Sequence, residues 1–327
     1  MVWIDSTSGM TYIVSMQKLD GKMVQSRSQW CVRVPRKEGE AKRRDLREQG
    51  LLDRTLRPRT EGECILLPVS EPLPGAERGQ FRPVPGIPVL PRHELIGGIA
   101  VMQDEDEAGA ATLLATRPSL HTVLYPESDV EGEFRTRRFR VLAGRKTTRT
   151  MYVEHGLRLA IDLSAAYFSP RLSTERQRIL SMMNDQEQVL DMFAGVGPFA
   201  LTLSRKAGFV AAADINPGAV HLLIENIARS RAGNVLPLFF DASRLCEVLP
   251  WKFDRIVMNL PLGAAGYLSG AIPLCRGGGT LHCYALQEKK GEILPDIMKF
   301  PVREVRERYV RSYSPGRWHA VYDITLE

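Results

Sequence analysis

From residue 188 onward, short hydrophobic runs alternate with amphipathic segments. The runs QVLDMF, FVAAADI, VLPLFFD and FDRIVMNLP have the length and composition of buried strands. The segments PFALTLSRKAG and PGAVHLLIENIARS, which separate the first three runs, carry apolar residues at helical spacing. Strands that alternate with helices are typical of a parallel sheet covered by helices on both faces. The pattern predicts an α/β, Rossmann-like, doubly wound domain over residues 164–327.

The first half of the chain has shorter elements. The runs WCVRVP and CILLPV predict strands on either side of a charged helix, in a small module over residues 29–72 that follows an extension, residues 1–28. Residues 73–94 are rich in proline, which removes backbone donors and fixes φ, so they predict a linker without regular structure. Residues 95–163 combine short strand patterns with one helix near residues 104–116, which predicts a small α+β module.

Positive charge is concentrated in the middle of the chain. The formal net charge is +6, and the stretch from Glu133 to Arg149 holds seven basic residues against one acid. In FRVLAG the alternation of a strand leaves arginine on the face opposite the apolar positions, a shape suited to a phosphate backbone. We expect RNA contacts from the following basic residues: Arg137, Arg138, Arg140, Arg145, Lys146 and Arg171.

Several classes of protein are disfavoured by the composition. The five cysteines are scattered and never spaced as C-x-x-C, so the sequence suggests neither a disulfide framework nor a metal site. No apolar run approaches the length of a membrane span, and the first residues do not resemble a secretion signal. We expect a cytoplasmic protein with reduced thiols, no metal, no membrane contact and a monomeric state.

The most specific local signal is VLDMFAGVGPFAL. A strand ending at Asp191 runs into a Gly195-x-Gly197 turn that leads to a helix, and glycines there let the backbone approach a ligand closely. The third glycine of a dinucleotide fingerprint and the lysine of a P-loop are both absent. The turn therefore favours a methionine-nucleoside pocket, with a glycine turn that serves only packing as the alternative.

Polar residues also follow the next three strands. Asp214 ends the second strand, Asp241 the third, and Asn259 and Pro261 follow the fourth. An acid after the second strand is placed to bind ribose hydroxyls, and one after the third can reach an adenine amino group. Each alone is more often a helix cap or a turn residue. Their common position at strand ends, beside the glycine turn, favours the ligand interpretation.

Several motifs together resemble one family. FSPRLSTER and EGEFR are the discriminating ones, and DMFAGVGPF, DINP, NLP and RSYSPGRW accompany them. Over residues 29–327 the chain resembles the archaeal and eukaryotic tRNA (guanine37-N1)-methyltransferase family. The resemblance implies a module that checks the tRNA outer corner, a module that holds the anticodon arm, and a class I methyltransferase domain. It also implies methyl transfer from S-adenosylmethionine to N1 of the guanine that follows the anticodon.

The resemblance assigns roles to single residues. It implies that Glu175 is the general base and that Arg135 and Asn259 support catalysis. Removal of the weakly acidic N1 proton requires a base and a positive group near O6, and these residue types supply both. Without the resemblance, Glu175 would be read as a surface ion pair with Arg176 or Arg178, and Arg135 as a phosphate contact. The expected cofactor site comprises Arg176, Asp191, Phe193, Gly195, Gly197, Asp214, Ile215, Asp241, Ala242 and Asn259.

Two other functions stay open at this point. The ending SPGRWHAVYD is also similar to that of related tRNA enzymes of wybutosine synthesis, which transfer an aminocarboxypropyl group from the same cofactor. A non-catalytic RNA-binding scaffold is a second alternative, although the intact set of polar strand ends speaks against it. We interpret His282 and His319 as core residues.

Overall fold

The computed structural model describes residues 14–19, 22–82, 84, 90–128, 132 and 134–327. The chain forms two compact units, residues 1–89 and 90–327. The first 13 residues, most of the end of the expected linker, and the two glutamates of EGEFR, Glu131 and Glu133, lie outside the described residues.

The first unit contains a five-stranded antiparallel sheet and one helix. Its elements are β1 (Val14–Leu19), β2 (Lys22–Pro35), α1 (Gly39–Glu48), β3 (Arg59–Glu61), β4 (Cys64–Pro68) and β5 (Glu77–Phe81). The long strand β2 pairs with β1, β4 and β5, while β3 pairs with β4. Leu46 of α1 packs with Val34, Leu67 and Val69, which gives the unit a small core of its own.

Two expectations for this region need correction. The prediction that residues 73–94 lack regular structure was wrong for Glu77–Phe81, which form strand β5 on the edge of β2. These five residues contain no proline, so their backbone N–H groups remain able to pair with a neighbouring strand. Strand β2 also runs without a break across the expected boundary between residues 28 and 29.

The second unit begins with a small α+β layer. It consists of β6 (His93–Ile96), β7 (Ile99–Met102), α2 (Glu107–Thr116), β8 (Thr122–Pro126) and β9 (Phe139–Gly144), and the strands lie in the order β6-β7-β8-β9. Strands β7 and β8 are parallel, and α2 connects them. Asp106 caps α2 by accepting a hydrogen bond from the Gly109 amide at 2.9 Å.

A hairpin follows, formed by β10 (Arg149–Glu154) and β11 (Leu157–Asp162). The buried side chain of Asn226 fixes it to the rest of the unit. The Asn226 Oδ1 atom accepts from the Ala160 amide at 2.7 Å, and its Nδ2 atom donates to the carbonyls of Ala160 and Val196 at 3.0 and 2.9 Å. The hairpin therefore shares a core with the C-terminal sheet, which differs from the expected boundary between residues 163 and 164.

The C-terminal region is built on a seven-stranded sheet. Its strands are β12 (Gln188–Asp191), β13 (Phe209–Asp214), β14 (Val235–Phe239), β15 (Phe253–Met258), β16 (Cys275–Gln287), β17 (Val302–Ser314) and β18 (Arg317–Leu326). Its helices are α3 (Ser173–Met182), α4 (Pro198–Leu203), α5 (Pro217–Ser230), α6 (Leu245–Val248), α7 (Leu268–Ala271) and α8 (Leu294–Ile297). The order is β14-β13-β12-β15-β16-β18-β17. Strands β12 to β16 are parallel, and β17 and β18 complete the edge in antiparallel pairing.

Both faces of this sheet are covered, which confirms the predicted doubly wound α/β fold. Val189, Val210 and Val257 face one hydrophobic cluster, while Leu190 and Ile256 face the other. Because successive side chains of a strand point to opposite faces, the continuous apolar runs in the sequence follow from burial on both sides. The carboxyl ends of the parallel strands meet at one edge. All five cysteines are free, and no helix among the described residues is long and apolar enough to cross a membrane.

Candidate functional site

The glycine turn lies between β12 and α4, at the carboxyl edge of the sheet. Gly195 and Gly197 both adopt positive φ, +55° and +93°, which favours glycine. A Cβ atom on Gly197 would come within 2.5 Å of the Leu223 Cδ1 atom, so this position serves the packing of α5. A Cβ atom on Gly195 would meet only the Tyr167 carbonyl oxygen, at 3.8 Å. The open side of Gly195 therefore leaves room for a ligand to approach the backbone.

Two of the expected strand-end acids have defined backbone partners. Asp214 accepts hydrogen bonds from the amides of Gly195 and Asn216 at 2.7 and 2.9 Å, and burial raises the pKa of its carboxyl. Asp241 accepts from the Ser243 amide at 2.9 Å and caps a short 3-10 turn. The capping role therefore exists for both acids. Each carboxylate oxygen has a second lone pair, so capping does not exclude a ligand contact.

Asp191 and Asn259 present a different arrangement. Their Oδ1 atoms are buried and have no hydrogen-bond partner among the described residues. Asp191 ends β12 and Asn259 follows the neighbouring parallel strand β15, so both lie at the same edge. Burial raises the pKa of Asp191 to about 7. A buried acceptor without a partner costs about 1–3 kcal/mol, so this pair is expected to meet a donor from a ligand.

These two acceptors fit S-adenosylmethionine. The methionine part of that cofactor carries an ammonium group, which only donates hydrogen bonds and is matched by two unpaired acceptors. Half-buried Phe193 lies edge to face with Tyr267, with ring centroids 5.0 Å apart, and offers an apolar wall near the turn. Ile215 and Ala242 follow β13 and β14 at the same edge.

Arg176 is engaged elsewhere. Its Nε and Nη2 atoms donate to the two carboxylate oxygens of Glu154 on β10, both at 2.6 Å, and only 1% of Arg176 is exposed. Its guanidinium also lies over the Phe199 ring, 5.7 Å from the centroid. The structure therefore gives Arg176 a buried ion pair that ties α3 to the hairpin, and a contact with the cofactor stays a prediction. Sequence reasoning missed Glu154 because 22 residues separate the two partners.

Glu175 lies in the first turn of α3 with only 5% of its surface exposed. Its Oε2 atom accepts hydrogen bonds from Arg178 Nε at 2.8 Å and from the hydroxyl of Tyr284 at 3.3 Å. Arg308 lies 3.9 Å from the other oxygen. The ion pair with Arg178 was one of the alternatives raised by the sequence, but the carboxylate is buried and is not a surface group. Sequence reasoning gave no signal for Tyr284 or Arg308.

A second set of residues lies near Arg135, in a stretch that connects β8 and β9. Arg135 has a positive φ of +53°, and its guanidinium lies 5.1 Å from the ring centroid of the exposed Tyr167. His319 is stacked on Tyr313, with ring centroids 5.4 Å apart. Burial, together with the charges of Arg311, Arg135 and Arg171, lowers the pKa of His319 to about 4.

These residues form what we call the arginine-aromatic surface. It comprises Arg135, Tyr167, Arg171, Arg311, Tyr313 and His319. Three arginines beside exposed aromatic rings offer charge for phosphate and flat faces for bases. His319 is buried, as the sequence suggested, but its ring stacks on the exposed Tyr313 of this surface.

The predicted RNA-binding residues fall into two groups. Arg138, Arg145 and Lys146 are exposed and form no ion pair with any described residue. Arg140 instead pairs with Glu105 and Glu107, and Arg171 pairs with Glu94 at 2.8 Å. Arg137 is half-buried, and its Nε atom has no partner among the described residues. The predicted RNA-binding residues are thus partly neutralised by acids that are distant in sequence.

Similarity to known proteins agrees with these features. The TRM5/TYW2 methyltransferase domain matches residues 150–309, and the tRNA methyltransferase 5 N-terminal domain matches residues 31–77. The tRNA (guanine(37)-N(1))-methyltransferase Trm5b of Pyrococcus abyssi is 38% identical over 329 residues, covering 90% of this chain and 98% of the relative. The tRNA(Phe) (4-demethylwyosine(37)-C(7)) aminocarboxypropyltransferase of Methanocaldococcus jannaschii is 28% identical over 247 residues, covering 72% and 98%.

Among solved structures, the complex of aTrm5 and tRNALeu is similar with a TM-score of 0.74 and 28% identity, covering 91% of this chain and 99% of the other. The family resemblance inferred from the motifs is therefore confirmed. On identity above one third across almost the whole of both chains, the protein belongs to the Trm5 family of tRNA (guanine37-N1)-methyltransferases.

Proposed function

We propose that this chain transfers the methyl group of S-adenosylmethionine to N1 of guanine 37 in tRNA. The observation that carries the proposal is the match of both the N-terminal and the methyltransferase regions to Trm5-type domains, with 38% identity to Trm5b over 90% of the chain. The tRNA complex of a relative supports tRNA as the substrate.

The proposed chemistry uses two residues near the target base. Glu175 accepts the N1 proton, because it is a buried carboxylate in a domain of this family. Arg135 donates to O6 and balances the negative charge that develops there. The Tyr167 ring beneath the Arg135 guanidinium orients that side chain.

The cofactor site is proposed at the carboxyl edge of the sheet. Asp191 and Asn259 bind the amino group of the cofactor through their unpaired oxygens, and Asp214 binds the ribose hydroxyls. Phe193, Ile215, Asp241 and Ala242 surround the adenine, and Gly195 leaves room for the methionine part. When bound, S-adenosylmethionine supplies an electrophilic methyl group. The contribution of the protein is then to hold the two reactants in line and to remove the proton.

The tRNA contacts are proposed from the basic and aromatic residues. Arg137, Arg138, Arg145 and Lys146 contact phosphates, and the arginine-aromatic surface receives the region around the target base. In this proposal the first unit checks the outer corner of tRNA and the small α+β layer holds the anticodon arm. A monomeric state, a cytoplasmic location and a reaction without metal belong to the same proposal.

Two other functions were weighed. The aminocarboxypropyltransferase relative is less similar and aligns with 72% of this chain, against 90% for Trm5b. This difference favours methyl transfer. The unpaired oxygens of Asp191 and Asn259 argue against a non-catalytic scaffold, because a protein that binds no ligand gains nothing from buried acceptors without partners.

Nucleoside mass spectrometry tests the proposal directly. Unmodified tRNA with guanine at position 37 is incubated with the enzyme and S-adenosylmethionine, and a matched tRNA with adenine at that position is the control. We expect 1-methylguanosine only in the first tRNA. An aminocarboxypropyl adduct would establish the alternative transfer, and no modified nucleoside in either tRNA would contradict the proposed activity.

A further inference from the structure

A chain of buried polar side chains leads away from Glu175 through the sheet. It joins α3 to β18, β16, β15 and the start of β12 by direct contacts among the following residues: Glu175, Arg178, Asp323, His282, Arg255 and Glu187. We call it the buried polar chain. None of these residues except Glu175 belongs to the site inferred from the sequence. Because a buried ion pair often contributes no more stability than apolar residues of the same volume, stability alone does not explain this chain.

Arg178 is shared by two carboxylates. Its Nε atom donates to Glu175 at 2.8 Å, while Nη1 and Nη2 donate to the two oxygens of Asp323 at 2.7 and 3.2 Å. The planar fork of a guanidinium fixes the relative positions of both partners. Because Asp323 lies on β18, which pairs with a strand on either side, it anchors Arg178 and, through Arg178, the orientation of the Glu175 carboxylate.

The state of His282 follows from its neighbours. Its Nε2 atom lies 2.7 Å from Arg255 Nη1, and arginine can only donate, so Nε2 accepts. The proton of the neutral ring is then on Nδ1 and is donated to Asp323 at 2.6 Å. Burial lowers the pKa of His282, in agreement with a neutral ring. Burial alone would raise the pKa of Asp323, but the hydrogen bonds from His282 and Arg178 outweigh it and hold that pKa at about 2.

We propose that Asp323 is a positioning residue for methyl transfer, which fixes Arg178 against Glu175 and takes up part of its positive charge. The proposal rests on the proposed function, in which Glu175 removes the N1 proton. A base must be free to bind that proton, and a guanidinium devoted wholly to Glu175 would oppose this step. Asp323 partly neutralises the positive charge of Arg178. The ion pair between Arg178 and Glu175 can therefore orient the Glu175 carboxylate and still allow it to bind a proton.

The other charged and titratable groups around Glu175 do not supply this function. Tyr284 on β16 donates its hydroxyl to the same carboxylate oxygen and is neutral. Arg308 on β17 lies 3.9 Å from the second oxygen and is half-exposed, so water screens its charge. Arg176, the next residue on α3, is held by Glu154. Asp323 is thus the acid that balances Arg178.

The test is the Asp323→Asn enzyme, with single-turnover rates measured at saturating tRNA and S-adenosylmethionine across pH. We expect the rate to fall by about 10-fold to 10²-fold, the usual cost of a slightly misplaced reacting group. We also expect the acid limb of the pH-rate profile to move to lower pH, because Arg178 then opposes protonation of Glu175 more strongly. The dissociation constants of both substrates should stay within about twofold of the parent, since Asp323 is not proposed to touch either.

Glu187→Gln is the matched control. Glu187 stands at the other end of the buried polar chain, is as buried as Asp323, and pairs with Arg255 as Asp323 pairs with Arg178. This change should disturb the fold to a similar degree but leave the pH-rate profile of the parent. If Asp323→Asn does not fold, Arg178→Lys serves instead, because an ammonium keeps the charge but cannot hold both carboxylates in the same geometry.

A Glu175→Gln enzyme, measured in parallel, separates the two levels of inference. If it keeps the parent rate and acid limb, the assigned base is wrong and the positioning role of Asp323 is wrong with it. If Glu175→Gln loses the limb while Asp323→Asn, or Arg178→Lys in its place, keeps the parent profile, only the positioning role is overturned. A changed profile in Asp323→Asn together with a parent profile in Glu187→Gln supports the inference.

Discussion

Asp191 and Asp323 are two buried aspartates on the same sheet with opposite properties. Asp191, at the carboxyl edge, has one oxygen without a partner among the described residues and a pKa raised by burial to about 7. Asp323, on β18, receives hydrogen bonds from Arg178 and His282, and its pKa is held at about 2. Burial alone therefore does not determine the state of a carboxylate. The carboxyl edge has buried acceptors without a partner among the described residues, whereas every member of the buried polar chain has a partner within the protein.

The largest expected effect concerns Glu175, the member of the buried polar chain that is proposed as the general base. Glu175→Gln should lower single-turnover methyl transfer by about 10²–10⁴-fold, the usual contribution of a positioned general base. Affinities for tRNA and S-adenosylmethionine should change no more than a few-fold. The measurement is rapid-quench transfer at saturating substrates across pH. If the Glu175→Gln enzyme keeps the rate and the pH profile of the parent, the buried polar chain has no part in the chemistry.

The contrast between the two aspartates predicts opposite changes in stability. Asp323→Asn removes one partner of a buried ion pair and should lower the free energy of unfolding of the free protein by about 3–5 kcal/mol. Asp191→Asn at pH 8 removes a buried charge that forms no ion pair with a described residue, although its Oδ2 atom accepts from the Ala200 amide at 3.2 Å. This change should leave the free energy of unfolding equal or raise it. Urea unfolding monitored by circular dichroism measures both. A comparable decrease in Asp191→Asn would show that the ionised carboxylate stabilises the fold and does not serve only as a ligand acceptor.

A smaller effect is expected at Asp214, the proposed ribose-binding position. Asp214→Ala should weaken S-adenosylmethionine binding by about 1–3 kcal/mol, because the ribose is deprived of an ionised acceptor in a partly buried site. Affinity for tRNA should hardly change, which makes tRNA binding the internal control. Isothermal titration calorimetry measures the cofactor affinity. Unchanged cofactor affinity would leave Asp214 as a helix cap, held by the amides of Gly195 and Asn216.

The raised pKa of Asp191 has consequences for pH dependence. The ordinary pKa of the group is 3.8 and its pKa in the protein is about 7. Between these two pH values, the folded state therefore holds a proton that the unfolded chain has already released. This group therefore makes folding stability decrease as pH rises from about 4 to 7. Binding of the cofactor ammonium favours the ionised form, so affinity should increase by up to about tenfold per pH unit below 7. Calorimetry in buffers of different ionisation enthalpy should detect proton release on binding, and its absence at pH 6 would contradict the assignment.

The smallest effects are expected on tRNA binding by the predicted RNA-binding residues. Neutralising Arg138, Arg145 and Lys146 together should weaken tRNA binding and reduce the slope of log K against log salt by about 0.7–0.9 for each phosphate that the protein no longer neutralises. Arg140→Gln alone should change the slope little, since Glu105 and Glu107 already pair with Arg140. Filter binding across salt concentrations measures both. A larger change of the slope for Arg140→Gln than for the triple variant would contradict this prediction.

The sequence predicted the parallel strands well because most of them are apolar runs buried on both faces. The edge strand β14 is also apolar, although it is partly exposed. It did not predict β17, because charged residues separate most of the apolar positions in its segment VREVRERYVRSYS, as expected for a strand at the edge of a sheet. The prediction of a linker overlooked β5 because proline is frequent in residues 73–94 as a whole, although the five residues of the strand have none.

The candidate site was likewise predicted from the sequence only in part. Motifs located Glu175, Asp191, Gly195 and Asn259, which are local features of the chain. The short spacing of Glu175 and Arg178 raised their ion pair as an alternative. The sequence gave no information on the distant charge partners, because the pairing of Glu175 with Arg308 or of Arg178 with Asp323 joins positions more than 130 residues apart. Periodicity reports whether a side chain is buried, but it does not report which distant group neutralises it.

Asn226 has a consequence for how the protein opens. Its side chain connects the backbone of the hairpin at Ala160 with the backbone of the glycine turn at Val196. The two segments must therefore separate before either exposes its amides, and Ala160 should exchange its hydrogen for deuterium only at the rate of cooperative unfolding. The hairpin of β10 and β11 and the glycine turn thus belong to one foldon, so neither can be loosened by evolution or by engineering without the other.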